Sequence, residues 1–519
     1  MQVSNVFFVN FIDFIRPIFY NLLDGGCTVS KPKEETIMNY LTYEQFGAIG
    51  DGKALDFDAI IKCHEEANRT GMPVRARDGA VYYIDGRNAT APIMTDVDFG
   101  TAKFIIDDRC VEQRTSYIFS VITENKPYEI TLSSLERGAT SITFPHEGNA
   151  YVKIYNDNSP IFIRKGLNMN SGTPTSDCFL VDADGNITPS VDHDYPTVTR
   201  AYARSIDDKP ITLRGGIFVT IANGEESFYR YYQRGILVTR ANVTITGFEH
   251  YVEGEGEQGA PYHGFIRANE AVNLTVSNAK MTPRFIYWTA SKIPGKPVPM
   301  GSYDLSFWSS INVACINIEQ TIDILDKRYW GIYTSNFCKN LTLEGCVFSR
   351  FDAHQGVTNA TIRNCRLGFQ NIQLIGYGDF LIENTTVENH GKFFLFLRAD
   401  YGSLFDGNIT IRNCTWKTPC ANDLSIIGAG NDEDHDFGYP CVMGREITIE
   451  GLTVLDADGT TTEAKDVALL AKFSRYDEVG EYPYITPKKI TVSGIKTASG
   501  SCIVTRVPER FSDLTVVIK

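Results

Sequence analysis

A seven-residue pattern that recurs through the second half of the chain constrains the fold more than any other feature. Each copy has apolar residues at its second and fourth positions, a polar residue at its fifth position and Asn or Gly at its sixth. The eight copies begin at Asn242, Asn273, Asn340, Asn359, Asp379, Asn408, Glu446 and Lys489, and a degenerate copy lies near Ser310–Ile318. A β-sandwich does not require one motif in a fixed register so many times, so the repeat indicates a solenoid.

The alternation and spacing of the copies predict a right-handed parallel β-helix, an all-β fold. Alternating apolar and polar residues are typical of a strand, and Asn or Gly tolerates the positive φ of a sharp bend after it. The copies at 340, 359 and 379 are 19 and 20 residues apart, which fits one turn of a three-strand coil. The 38 residues from 408 to 446 predict a loop inserted at one corner. No helix-length pattern separates the strands, which excludes βαβ units.

The positions of the 12 cysteines favour free thiols over a disulfide framework. Cys346, Cys365 and Cys414 share the seventh motif position, and equivalent positions of neighbouring coils stack about 4.8 Å apart. Such small apolar side chains are expected to be free and buried. Free thiols are typical of a reducing compartment, and the apolar N-terminal stretch lacks a basic start because its first positive charge is Arg16. These features slightly favour a cytoplasmic protein over a secreted one.

Four segments follow from these patterns. Residues 1–37 are interpreted as a leader or a disordered segment, and 38–114 as an N-terminal cap with the first coils. In that cap, Asp56 is expected to begin a helix that Gly71 ends. Residues 115–225 carry no ladder motif and are interpreted as a β-rich insertion or irregular coils. Residues 226–519 form the main parallel β-helix.

The cap carries a resemblance to a known family. The string Phe46-Gly-Ala-Ile-Gly-Asp-Gly52, the helix from Asp56 to Ala67 and the strand Gly79-Ala-Val-Tyr-Tyr-Ile84 resemble the opening of the pectate-lyase-like superfamily, in its pectate-lyase-3 type. The resemblance implies a right-handed parallel β-helix and a carbohydrate-active protein. The superfamily includes glycoside hydrolases, polysaccharide lyases, uronan epimerases and phage tailspikes, so the fold does not choose the reaction.

Composition and missing motifs exclude several other functions. The net charge of −14 argues against a nucleic-acid partner, because phosphate binding needs basic patches. The broken apolar stretch in the first 23 residues is too short for a membrane span of about 20 apolar residues. The chain has no GxSxG elbow, HExxH motif or Gly-rich phosphate loop, which disfavours esterase, metalloprotease and kinase activity. The expected partner is an oligo- or polysaccharide, and the sequence leaves the oligomeric state open.

The catalytic candidates lie on the strands that precede the ladder motifs, where a groove floor is expected. Glycoside hydrolysis needs two carboxyl groups, about 5 Å apart for retention or about 6.5–9.5 Å for inversion. Asp352 is the first choice, and Asp326 or Asp400 is its expected partner. His354 is expected to tune a carboxyl pKa or to bind a sugar hydroxyl, because alternation puts it on the same face as Asp352.

The expected substrate contacts are aromatic platforms and charged or amide side chains on the same strands. They are Arg328, Trp330, Tyr333, Gln373, Lys392 and Arg398. No metal or cofactor is required, although the acidic run 432–436 has the residue types of a calcium site. Asp182–Asn186 is interpreted as a turn, because the calcium-loop pattern does not continue to a distant Glu.

Three functions are compatible with the sequence. The leading hypothesis is a glycoside hydrolase with paired Asp carboxylates. The alternative is a polysaccharide lyase, in which Arg or Lys neutralises a uronate carboxylate before β-elimination. The third is a non-catalytic glycan-binding or tailspike-like protein.

Overall fold

Parallel strands that stack from coil to coil make up most of the protein. The computed structural model describes residues 40–164, 169–290, 294–331, 333–430, 437–471, 484–498 and 500–519. The predicted leader, 1–37, and the acidic run 432–436 lie outside the described residues. Among the described helices, none has the length and apolar character that a membrane span needs.

The first coils pack against one amphipathic helix. Their elements are β1 (Asp51–Leu55), α1 (Phe57–Thr70), β2 (Val74–Arg75), β3 (Val81–Ile84), β4 (Ala91–Ile93), β5 (Val97–Asp107) and β6 (Phe119–Val121). The predicted helix is confirmed, and Gly71 ends it with a φ of 72°. The Asp56 carboxylate does not cap the helix. It accepts hydrogen bonds from the backbone N–H groups of Ile49 at 2.7 Å and Tyr83 at 3.2 Å, which ties the preceding loop to β3.

A five-stranded antiparallel sheet is separate from the parallel sheets of the coil and is called the inserted sheet. Its strands are β7 (Tyr128–Glu129), β8 (Ala150–Ile161), β9 (Thr173–Val181), β10 (Ile187–Thr188) and β11 (Arg200–Ser205), in the order β10-β9-β8-β11-β7. It has a core of its own around Val152, Phe179 and Ala203. The parallel sheet is continuous from before the insertion to after it, because β12 (Ile211–Ile221) pairs directly with β5. The predicted β-rich insertion is thus present, and β6 and β12 inside the 115–225 segment belong to the parallel sheet.

The remaining strands build the main coil. They are β13 (Ile236–Val238), β14 (Ala241–Thr246), β15 (Glu249–Glu253), β16 (Ile266–Asn269), β17 (Val272–Met281), β18 (Tyr287–Ala290), β19 (Pro297–Met300), β20 (Leu305–Trp308), β21 (Ile311–Gln320), β22 (Tyr333–Glu344), β23 (Val347–Phe348), β24 (Phe351–Asp352), β25 (Gln355–Arg363), β26 (Arg366–Leu367), β27 (Ile372–Leu374), β28 (Gly376–Glu383), β29 (Thr386–Glu388), β30 (Phe393–Leu397), β31 (Phe405–Lys417), β32 (Leu424–Gly428), β33 (Glu446–Leu455), β34 (Val467–Leu470), β35 (Lys489–Ser493), β36 (Cys502–Thr505) and β37 (Thr515–Ile518). Strands β18 and β19 form an antiparallel hairpin, and the others pair in parallel. Short 3₁₀ helices lie at Tyr43–Phe46, Ala399–Tyr401 and Pro508–Phe511.

The turns of the repeat follow the sequence pattern closely. The sixth motif position has a positive φ in every copy, at Gly247, Asn278, Gly345, Asn364, Asn384, Asn413, Gly451 and Gly494. Each bend sends the chain onto the next face of the coil, and the apolar motif positions point into one continuous core. The predicted parallel β-helix is confirmed.

The first motif position forms a second regular feature, an asparagine ladder. The side-chain amides of Asn273, Asn312, Asn340 and Asn359 each donate to the Asn one coil before, beginning at Asn242, over 2.8–3.1 Å. All five residues have φ between 54° and 58°. The cysteines of the described residues are free, and Cys346, Cys365 and Cys414 are buried as expected.

Candidate active site

One outer strand face of the coil is flanked by loops on one side and by the inserted sheet on the other, and it is called the groove. Its floor is formed by β13, β16, β20 and the start of β22, which pair in register so that Arg267, Ser306 and Thr334 lie side by side. One wall consists of the loops that follow β12, β15, β17 and β21, called the corner loops. These loops leave the coil at one corner, because the strands before them stack in register.

The inserted sheet forms the other wall. The Tyr151 hydroxyl donates to the carbonyl of Ser309 at 2.8 Å, just after β20. Further along the coil, the ring of Phe162 packs 5.4 Å from that of Phe337, and the Arg164 guanidinium pairs with the Asp400 carboxylate. The sheet therefore contacts the rows of residues that follow the floor strands.

Asp352 and Asp400, two of the predicted acids, belong to one charged cluster beside this groove. The Asp352 carboxylate accepts hydrogen bonds from Arg350 at 2.7 Å, from the Tyr303 hydroxyl at 2.7 Å and from Arg398. Arg398 also holds Asp400 through two hydrogen bonds of 2.8 and 3.0 Å. One guanidinium therefore bridges both acids, as the stacking of successive coils was expected to allow.

The environment of Asp352 does not suit a catalytic acid. Burial alone would raise the pKa of Asp352, but Arg350 and Arg398 lower it to about 2. Its side chain is 0% exposed, so no sugar atom can touch it. The prediction that Asp352 acts directly on the glycosidic bond is wrong, because the arginines that keep Asp352 ionised also enclose its carboxylate.

Asp400 and His354 reach the surface of the same cluster. The Asp400 side chain is 15% exposed, and Arg398 and Arg164 outweigh burial so that its pKa lies well below the usual range. Burial lowers the pKa of His354 to about 3, which keeps the imidazole neutral. Its Nδ1 lies 3.1 Å from the Asn336 amide oxygen on the groove floor. Both residues can accept a hydrogen bond, and catalysis by either stays a prediction.

The predicted substrate contacts occupy different surroundings. Tyr333 is wrong as a sugar platform, because its fully buried ring stacks on Phe351 at 5.1 Å in the core. Trp330 is partly buried, 4.8 Å from the Arg350 guanidinium. The Trp330 ring packs directly on Gly301, where any larger residue would clash with it.

The other predicted contacts lie at or near the surface. Gln373 pairs in register with Asp352, and Lys392 is an exposed partner of Asp423 at 3.2 Å. Arg328 is an exposed partner of Asp326.

A second pair of acids lies on the corner loops, across one short backbone bridge. Phe285 and Tyr329 form an antiparallel bridge, with ring centroids 4.8 Å apart. On one side, the Glu255 carboxylate accepts the Phe285 N–H at 3.2 Å and the Tyr287 hydroxyl at 2.9 Å. On the other side, the Asp326 carboxylate accepts hydrogen bonds from the backbone N–H of Arg328 at 3.0 Å and from its guanidinium at 2.6 Å.

These two acids have opposite electrostatic environments. Burial raises the pKa of Glu255, although Arg284 opposes the shift. Hydrogen bonds from Arg328 lower the pKa of Asp326, whose side chain is 19% exposed. Burial raises the pKa of Tyr329, and the nearby carboxylates of Asp326 and Glu255 raise it further. Carboxyl groups with pKa values displaced in opposite directions are the arrangement of an acid and a base.

Sequence analysis found Asp326 but missed Glu255. The signal was available, because Glu253-Gly-Glu-Gly-Glu257 directly follows the first ladder copy and its strand. Glu255 was missed because its distinctive surroundings, Arg284 and Tyr287, come from the next coil. The burial that raises the pKa of Glu255, and the contacts with residues 29 and 32 positions away, cannot be inferred from a local motif.

The described residues contain no group of three or more His, Cys, Asp or Glu side chains arranged to hold a metal ion. Asp182 instead closes a turn, accepting the N–H groups of Asp184 and Asn186 at 2.9 Å each. The acidic run 432–436 is outside the described ranges, so the calcium hypothesis there stays a prediction.

Comparisons with known proteins place this geometry in context. No family model matches the chain. A stretch of 124 residues is 26% identical to a capsule KL64-specific depolymerase of a Klebsiella phage, and it spans 22% of this chain but only 11% of that protein. The tailspike gp61 of Pseudomonas phage phi297 superimposes with a TM-score of 0.52 at 11% identity, over 88% of this chain and 80% of that one. The Gp54 tailspike of Acinetobacter baumannii bacteriophage AP22, solved with a capsular saccharide, has a TM-score of 0.52 at 10% identity, over 92% and 79%.

The chain has the pectate-lyase-like right-handed β-helix fold. The resemblance in the cap is therefore confirmed at the level of the fold. The expectation of a cytoplasmic protein is wrong, because the similar proteins are phage tailspikes and a capsule depolymerase, which are virion-associated or extracellular. The repeat cysteines misled that expectation, since Cys346, Cys365 and Cys414 are small buried side chains of the coil and report nothing about the compartment.

Proposed function

We propose that the protein binds a polysaccharide in the groove and hydrolyses its glycosidic bonds with Glu255 and Asp326. The depolymerase relative and the tailspike solved with a capsular saccharide support a glycan as the ligand class. The observation that supports the reaction type is that Glu255 and Asp326 lie on either side of the Phe285–Tyr329 bridge, with pKa values displaced in opposite directions. Asp326 thus keeps the catalytic role that the sequence predicts, and Glu255 takes the place of Asp352 as its partner.

The chemistry assigns one role to each carboxyl group. Glu255, with its raised pKa, is the general acid that protonates the glycosidic oxygen as the bond to the anomeric carbon breaks. Asp326, kept ionised by Arg328, either activates a water molecule or attacks the anomeric carbon directly. The Trp288 side chain, on the adjoining β18–β19 hairpin, is 61% exposed and can stack on a sugar ring.

A lyase is the second candidate, and a separate observation favours it. Arg164 and Arg398 converge on Asp400 beside the groove. Cationic side chains of this kind can neutralise a uronate carboxylate, after which a base removes the neighbouring proton and the glycosidic bond breaks by β-elimination. In that reaction Asp400 and its arginines, and not Glu255, would be essential.

One assay separates these reactions. Bacterial capsular polysaccharides are incubated with the protein, and the products are analysed for new reducing ends and for the ultraviolet absorbance of unsaturated uronates. Hydrolysis predicts reducing ends without that absorbance. The Glu255→Gln variant should lose about 100- to 10,000-fold in rate, the usual contribution of a general acid. The control is Glu257→Gln, an exposed residue of the same loop, which should cleave like the wild type.

Other outcomes reject the proposal. Unsaturated products, or loss of cleavage in Asp400→Asn with Glu255→Gln fully active, would assign the reaction to the charged cluster. Binding without any cleavage would favour a glycan-binding protein.

A further inference from the structure

Arg267 is a cation on the groove floor without an anionic partner. It lies on β16 with its side chain on the outer face, and it is partly buried. Within the described residues its guanidinium makes no hydrogen bond or ion pair, and it lies 5.8 Å from the centre of the Trp308 ring. Burial lowers the pKa of Arg267, so the fold destabilises the charge that it holds there. A partly buried, unpaired charge is costly, and such groups are retained where a ligand needs them.

The surroundings of Arg267 are aromatic on both sides. The rings of Tyr231 and His263 stack at 4.4 Å with an interplanar angle of 19°. Burial lowers the pKa of His263, and the nearby charge of Arg267 lowers it further. The stacked pair therefore lies near the unpaired arginine.

The charges along this stretch do not balance. Four arginines, Arg164, Arg267, Arg350 and Arg398, stand against the carboxylates of Asp352 and Asp400. His263 and His354 are neutral, since burial lowers the pKa of each to about 3. Arg164, Arg350 and Arg398 are paired with these carboxylates, so Arg267 is the unpaired positive charge of this set, in a chain whose net charge is −14. Such a local field selects an anionic ligand, whatever the overall charge.

We infer that Arg267 binds the carboxylate of an acidic sugar, which makes it a specificity-determining residue for a glycan with charged repeating units. This inference rests on the proposed function for the kind of ligand, but not for the reaction. The guanidinium can donate two parallel hydrogen bonds to a carboxylate, while Trp308 and the Tyr231–His263 pair present apolar faces to the sugar ring. Neutral glycans would leave the charge unpaired.

Stability provides the first test, because a ligand-binding charge and a structural charge behave differently. The Arg267→Met variant removes an unpaired, partly buried cation and keeps the length of the side chain. Its urea unfolding midpoint should equal or exceed that of the wild type. A lower midpoint would show that Arg267 is structural, and the inference would be rejected. The control is Arg234→Met, which breaks the fully buried pair with Asp108 at 2.8 Å and should lower the midpoint.

Binding provides the second test, and it is made without turnover. Acidic capsular polysaccharides, and the same polymers after chemical reduction of their carboxyl groups, are titrated into the Glu255→Gln protein by calorimetry. We expect the protein to bind an acidic polymer and not its reduced form. Adding Arg267→Gln should weaken that binding by about 10- to 100-fold, because the charge-assisted contact with the carboxylate is lost. Arg267→Lys should lose less. The control is Arg366→Gln, an exposed residue that pairs with Glu388 and should not change the affinity.

The outcomes separate this inference from the proposed hydrolysis. Equal binding of the reduced polymer, binding of neutral polymers alone, or binding of no acidic member overturns the role of Arg267. Failure of Glu255→Gln to stop cleavage overturns the hydrolytic mechanism and leaves the Arg267 result standing.

Discussion

Asp352 is held by three donors inside the fold, which makes it a positioning residue. Among the residues that the structure describes, Arg350 has no other carboxylate partner, and its Nε and Nη1 atoms are buried without hydrogen bonds. Replacing Asp352 by Asn should therefore lower the free energy of unfolding by about 3–5 kcal/mol, the usual effect of breaking a buried ion pair. The measurement is urea denaturation followed by circular dichroism. The control is Asp326→Asn, which removes an exposed ion pair and should change the free energy of unfolding by less than about 1 kcal/mol.

The two acids of the corner loops make a specific prediction about pH. Glu255 must be protonated to donate a proton, so kcat/KM should fall as the pH rises through its raised pKa. Asp326 must be ionised, so kcat/KM should also fall as the pH drops through its lowered pKa. The two shifts together predict a bell-shaped profile with a broad maximum. A rate that keeps rising with pH would contradict the role of Glu255 as the acid.

Individual residues were only partly predictable from the sequence. The residue types of a glycan site were found, and Asp352, Arg398 and Asp400 do converge. Their exposure was not predictable, because alternation tells which face a side chain occupies and not what covers that face. Tyr333 shows the same limit: its strand was expected on the groove floor, but its ring points inward to Phe351.

At the scale of the elements, the asparagine ladder gives the repeat a rigid edge. Asn340 donates to Asn312, accepts from Asn359 and has a φ of 55°. Asn340→Gly should cost about 1–2 kcal/mol, because it removes two hydrogen bonds but tolerates the positive φ. Asn340→Ala should cost about 1–2 kcal/mol more, since Ala is strained in this conformation. Equal losses in thermal or urea unfolding of the two variants would contradict this account.

The same repeat explains why these elements could be predicted and others could not. A strand and a turn recur with each copy, so eight weak signals reinforce one another, and every predicted bend has a positive φ. The inserted sheet has no repeat, so its β-rich character was visible but its antiparallel order was not. Strand pairing there depends on contacts between distant residues, such as Ala150 with Val181 and Ser205, which no local pattern reveals.

For the whole molecule, the groove exists only while the inserted sheet stays docked on the coil. One polar contact between them is buried: the Lys339 ammonium lies 2.5 Å from Asp177 and 2.9 Å from Asp192, both of which belong to the insertion. Burial raises the pKa of Asp177 to about 6 even with Lys339 beside it, so this carboxylate depends strongly on its partner. Thr358 on the next coil donates to Asp192 at 2.7 Å and extends the contact.

Lys339→Met should therefore release the inserted sheet and weaken glycan binding without disturbing the repeat. Removing the ammonium leaves two buried carboxylates uncompensated, which should lower the stability of the docked state by about 3–5 kcal/mol. The expected signs are faster protease cleavage near residues 122–127 or 206–210, which connect the sheet to the coil, and a loss of glycan affinity. Adding Asp177→Asn and Asp192→Asn to this variant should restore both the resistance to protease and the glycan affinity, because the buried charges are then gone. The control is Lys489→Met, which removes an exposed pair with Glu446 on the coil. If Lys339→Met bound glycan like the wild type, the wall formed by the inserted sheet would not be part of the binding site.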